Sequence, residues 1–175
     1  MKEVFNIFIN INYPVSLETI RKLKNGDKVS YTGKIILVSP DALKRLSKYY
    51  TLEGVPLFNF LGEFVTSGTL NLAHGEIKSI DISEISDYFD FLFKGGANSL
   101  IIDKISPKTH NQLKNYKRPF FKSLSQTIGI YDPKVLLYKD IKNGGIIEVW
   151  TKNHPLEVLT FEEKEQMSDI DNAKL

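Results

Sequence analysis

The chain carries three histidines, His74, His110 and His154, and no cysteine. Imidazole is the common acid–base group and metal ligand near neutral pH. None of the three has a His, Asp or Glu partner at metal-ligand spacing; His74-Gly75-Glu76 is the only histidine beside an acid. A histidine in such a polar stretch reads as solvated. No H-x-x-x-H, G-x-S-x-G or phosphate-loop pattern occurs. The lack of cysteine excludes disulfides, thiolate catalysis and thiolate-held zinc or iron–sulphur on this chain. It also fits a reducing compartment.

Other residues could hold an anion. Lys104 follows the apolar run Leu100-Ile101-Ile102, with only Asp103 between. A cation just past a buried strand can meet a bound carboxylate, and Asp103 could equally neutralise it. The pairs Gly95-Gly96 and Gly144-Gly145 could turn backbone N–H groups toward an anion. The plainer readings are a helix end for the first and a hairpin turn for the second. Lys114, Lys117, Arg118 and Lys122 interleave with Tyr116, Phe120 and Phe121. That mixture can grip single-stranded nucleic acid. Here the aromatics sit where a strand enters the core, so solvated flanks are expected and no nucleic-acid partner.

Composition sets the frame for these candidates. At 175 residues the chain is long enough for one domain with a real core. A formal charge of +2 gives no electrostatic lead toward nucleic acid. No apolar run has the length of a membrane span. The first residues lack a long apolar region and a small-residue cleavage site, so a cytoplasmic protein is expected.

The elements that would position the candidates follow from periodicity and punctuation. Phe5, Ile7 and Ile9 alternate as a short strand. Ser16 caps a helix over 17–24, with Glu18 at its positive end and Gly26 after it. Val29 and Tyr31, then Ile35 to Val38, predict two strands with a bend or bulge at Thr32-Gly33. Ser39-Pro40-Asp41 opens a helix with apolar Ala42, Leu43, Leu46 and Tyr49, stopping before Gly54-Val55-Pro56.

Later elements are shorter. Phe64-Val65-Thr66 predicts a buried strand ending at Ser67-Gly68, and 69–78 reads as loop. Ile80 and Ile82 suggest a brief strand, and Ser83 a cap for a helix ending at Gly95-Gly96. Leu100 to Ile102 is a strand, and Ser106-Pro107 opens a helix to about Tyr116. Phe120-Phe121, Val135 to Tyr138, Ile146 to Trp150 and Leu156 to Phe161 read as strands. Residues 1–161 form one domain in this reading, and the polar tail 162–175 is expected to lack order. The irregular spacing favours α/β architecture with a mixed sheet, not a doubly wound one.

The segment Leu23-Lys24-Asn25-Gly26-Asp27-Lys28-Val29-Ser30-Tyr31-Thr32-Gly33 has the form L-x-x-G-D-x-V-x-x-x-G. With the short helix before it and Asp41-Ala42-Leu43-Lys44-Arg45-Leu46 after it, it resembles the β-subunit, or C-terminal domain, of class I fumarate hydratases and L-tartrate dehydratases. The later order agrees: Gly68 falls at that family's Gly-Pro turn, and the strand leading to Lys104 matches the approach to its I-G-K-G segment. The likeness spans about residues 5 to 161 and is most specific at the beginning. It implies a swivelling β/β/α domain with a mixed sheet and short flanking helices. It also implies an oligomer with an α-subunit whose cysteines hold a [4Fe–4S] cluster. The reaction would be hydro-lyase chemistry: reversible hydration of a small carboxylate such as fumarate/malate or tartrate. Lys104 would be a substrate-binding contact.

Departures fall on the chemistry. Ser39 and Leu43 stand where the family has Arg and His, and Lys78 to Ser86 replaces G-P-T-T-S-x-R-M-D, with Glu84 near its Arg. Leu124-Ser125 replaces a later Gly-Gly pair. Each lost arginine–carboxylate contact is worth about 1.5–3 kcal/mol. Two readings stay open: a divergent hydro-lyase component acting with its α partner, and a non-catalytic binding or assembly module on the same scaffold.

Overall fold

The computed structural model describes residues 7–78, 80–142 and 144–161. Phe5 and the tail 162–175 lie outside the described residues.

The strands are β1 (Ile9–Asn12), β2 (Lys28–Val38), β3 (Phe64–Thr66), β4 (Thr69–Asn71), β5 (Glu76–Lys78), β6 (Ser99–Ile102), β7 (Phe120–Ser123), β8 (Ile128–Gly129), β9 (Tyr131–Leu137) and β10 (Ile146–Leu159). The helices are α1 (Leu17–Arg21), α2 (Pro40–Glu53), α3 (Phe89–Lys94) and α4 (Pro107–Leu113), and a 3₁₀ helix spans Ile82–Tyr88. The main sheet runs β1-β2-β3-β6-β7-β10-β9. Neighbours from β1 to β7 pair in parallel, whereas β10 is antiparallel to β7, β9 and β2. Because β10 pairs with both β7 and β2, the strands β2, β3, β6, β7 and β10 close into a ring. A second sheet, β4-β5-β8, is antiparallel. The expected mixed α/β architecture is what forms.

Two apolar layers follow from the pleat. Val29, Tyr31, Ile35 and Leu37 of β2 join Phe64, Ile101, Phe121 and β10 residues in one core, with Ile77 and Ile128 of the small sheet. Ile36, Val38, Val65, Leu100, Ile102 and Phe120 face the opposite way. They meet Leu43 and Leu46 of α2 and Leu92 of α3. The parallel strands are thus covered by β structure on one face and helices on the other. Burial on both faces explains the unbroken apolar run Ile35 to Val38.

Local signals place α2 as expected. The Ser39 hydroxyl accepts from Ala42 N at 3.2 Å, Pro40 opens the helix, and Gly54 ends it at φ 71°. Helix α1 begins at its Ser16 cap as expected but stops at Arg21, capped by Lys22; Gly26 instead serves a turn at φ 87°. The 69–78 stretch is a hairpin of β4 and β5, not a loop. Its strands are too short to show alternation. Ile80 and Ile82 form no strand: Asp81, rather than Ser83, caps the 3₁₀ helix. Helix α4 ends at Leu113, short of Tyr116.

β2 is one strand across Gly33. The Tyr13 amide donates to Thr32 O at 2.9 Å, and a Cβ on Gly33 would lie 2.2 Å from Tyr13 Cβ. The glycine admits a crossing segment; it does not break the strand. β10 is likewise continuous from Ile146 to Leu159, with a register shift between Thr151 and His154. Asn153 stands there at φ 50°. The bulge flips the alternation, so Ile147, Val149 and Thr151 are buried before it, and His154, Leu156 and Val158 after it.

Lys34 leaves β2 beside this crossing. Its ammonium lies 2.7 Å from Glu63 Oε1 and 3.7 Å from Glu148 Oε1, with side-chain exposures of 17% for Lys34 and 9% for Glu63. The Tyr13 hydroxyl donates to Glu63 Oε1 at 3.3 Å. Removing Glu63 takes the nearer carboxylate from a largely buried ammonium and leaves it only the longer contact to Glu148. Glu63→Ala is therefore expected to cost about 3 kcal/mol, measured by denaturant unfolding. A loss under about 1 kcal/mol means the pair does not hold β2 to the start of β3.

Candidate functional site

β3 and β6 are parallel, so their carboxyl ends open at one edge of the sheet. Ligands of closed, barrel-like sheets favour such a mouth. The Thr66 hydroxyl donates to Ile101 O at 2.8 Å and ties the two ends together. Beyond Thr66, Gly68 allows a close approach: a Cβ there would be 2.9 Å from Lys78 O and 2.9 Å from Ile77 Cγ2. The Asp81 amide donates to Ser67 O at 3.2 Å, which sets the 3₁₀ helix beside the end of β3.

Between this turn and the segment after β6 lies an open cleft of about 510 Å³. Its walls are Ile80 and Ile105, with Asp81, Asp103, Lys104, Ser83 and Ser106 supplying polar groups. Lys104 and Ser106 are exposed, and Asp103 is half-buried. Asp81 Oδ1 accepts from Ser83 N at 3.0 Å and from the Ser83 hydroxyl. The Ser106 hydroxyl caps α4, accepting from Thr109 N at 3.2 Å. Among the described residues, neither Lys104 nor Asp103 forms an ion pair within 4.0 Å. The cleft thus combines one cation and two carboxylates that do not cancel by direct contact.

The other candidates separate. His74 is exposed at the β4–β5 turn. His110 packs edge-on against Phe161 with ring centroids 4.7 Å apart. Gly95 caps α3, and Gly144-Gly145 lie between the antiparallel β9 and β10. Arg118 Nη1 donates to Ala97 O at 2.6 Å, and its guanidinium lies over the Phe93 ring at 4.6 Å. Phe120 and Phe121 are buried, so the basic–aromatic stretch presents no stacking platform from that pair. Ser39 is the α2 cap and Leu43 is fully buried. Glu84 is exposed on the 3₁₀ helix. Among the described residues no group of three or more His, Cys, Asp or Glu could hold a metal ion. No described helix is long and apolar enough to cross a membrane.

The ring interior holds a polar pair that sequence spacing could not show. His154 Nε2 lies 2.8 Å from Ser123 Oγ, both side chains being buried. The Ser123 hydroxyl donates to Ser125 O at 2.7 Å, which leaves Nε2–H as the donor toward Ser123. The serine proton is committed elsewhere, so this is not a base activating a nucleophile.

Burial pushes the His154 imidazole down to about 4 from 6.5. The unfolded chain therefore takes up a proton more readily than the folded one. The stabilisation by neutral His154 is full above pH 6.5 and is lost as the pH falls toward 4. The expected loss is about 3 kcal/mol. Unfolding midpoints measured across that window should fall steeply for the parent chain and less for His154→Gln; parallel curves would show that another group titrates.

No protein-family model matches the chain, and no curated protein matches it.

Proposed function

We propose that the chain is a β-subunit-like component of an iron–sulphur hydro-lyase, acting with a separate α-subunit on a small hydroxy acid. The observation that carries this reading is the place of Lys104. It lines an open cleft at the carboxyl ends of two parallel strands, beside the Gly68 turn. That edge lets a second subunit close over a small ligand. Lys104 would hold a substrate carboxylate by a charge-assisted hydrogen bond. The chain has no cysteine with which to hold a cluster, so any cluster belongs to the α-subunit. Swivelling of this domain against that subunit is part of the same proposal.

A second reading is a binding or assembly module without catalysis. The observation favouring it is the pair Asp81 and Asp103 in the same cleft, where a dicarboxylate would be repelled. Ser39 and Leu43 point the same way, since both serve the scaffold.

Co-expression with an iron–sulphur α-subunit tests the two. The hydro-lyase reading expects a stable complex that holds a cluster and consumes malate, fumarate or tartrate. Lys104→Gln should then raise KM about tenfold, the lower end of a charge-assisted contact of about 1.5–3 kcal/mol. A complex that forms but turns over no hydroxy acid supports the assembly module. Failure to bind any such α-subunit removes the hydro-lyase reading.

A further inference from the structure

We infer that the Lys104 cleft takes a small zwitterion, a hydroxy acid that also carries an ammonium group. This rests on the proposed site in one respect only, that Lys104 holds a carboxylate. The cleft offers Lys104 to that carboxylate and two acids, Asp81 and Asp103, to a cation. Asp81 spends one oxygen on its helix cap. Among the described residues Asp103 forms no side-chain hydrogen bond or ion pair, so its carboxylate is available to a ligand. The two acids and the lysine border one space rather than lying in separate patches.

Three ligand classes can be compared by charge. A dicarboxylate meets one cation and two like charges, and gains at one end what it loses at the other. A divalent metal ion prefers several oxygen ligands, and Lys104 would stand against it; the described residues gather no third His, Cys, Asp or Glu here. A zwitterion places opposite charge against each set. The Ser83 and Ser106 hydroxyls donate to Asp81 and to Thr109, so toward a ligand hydroxyl they serve only as acceptors. The open walls limit the ligand's gain from each charge, because solvent screens exposed pairs.

Calorimetric titration of the full chain tests this with serine as the probe. Glycerate replaces the ammonium with a hydroxyl, and ethanolamine lacks the carboxylate. Serine should bind roughly fivefold tighter than either. Asp103→Asn should weaken serine roughly fivefold and leave glycerate no weaker. Lys104→Gln should weaken serine and glycerate alike and leave ethanolamine no weaker. The inference is overturned if serine does not bind, if glycerate, malate or magnesium binds as tightly as serine, or if neither substitution changes serine affinity. Titration needs no α-subunit and no turnover. A reconstituted pair that consumes malate without a serine preference therefore overturns this inference and leaves the hydro-lyase reading standing. Serine binding by a chain that recruits no α-subunit does the reverse.

Discussion

β10 runs beside β2 from the Ile146–Val38 pair to the Glu157–Lys28 pair, and its far edge also meets β7. This long antiparallel pairing closes the ring. Without it the parallel strands would have a bare edge and their inner apolar face would lack a cover. Such a contact joins residues more than a hundred positions apart, so its loop-closure entropy must be met by burial on both faces. Tyr31, Ile35, Val149 and Leu156, all buried in the inner cluster, supply part of that burial.

Two local devices let the pairing run its full length. Gly33 has no side chain, so Tyr13 can cross β2 at van der Waals contact while Lys34 reaches Glu63. The bulge at Asn153 restores the inward direction of every second side chain after Thr151. The Thr32 hydroxyl accepts from Asn153 N at 2.9 Å and holds that turn of backbone. Placing His154 inside the ring is a consequence of the same bulge. Its neutral imidazole is tolerated there because Ser123 takes its proton donor.

The cleft depends on this frame but not on its detailed packing. It sits where β3 and β6 end, and what decides its chemistry is charge. Lys104, Asp81 and Asp103 come from two segments about twenty residues apart in sequence, brought together by the short β3–β6 pairing and the Gly68 turn. A buried apolar pocket would select by shape; an open polar one selects chiefly by charge and hydrogen bonding. That is why the balance of one lysine against two aspartates carries more of the functional argument than the cleft's size.

Much of the scaffold was legible in residue types. Ser39-Pro40 dictated the start of α2, Gly54 its end, and the β-branched-rich run Ile35 to Val38 a strand. These signals act within a few residues, through sterics, capping and burial. Lys104 was legible as a cation beyond a strand, but its company was not, since Asp81 is assigned to the cleft by chain reversal and not by spacing. The β4–β5 hairpin, the continuity of β2 through Gly33 and the buried Ser123–His154 pair were likewise silent. Each depends on a partner segment distant in sequence, and only the tertiary structure decides which segment that is. The sequence by itself determined which residues could not do chemistry here, with no thiolate on the chain. The fold decided which of the remaining charges face the same space, because a strand's register and a turn's direction place side chains that periodicity alone leaves unpaired.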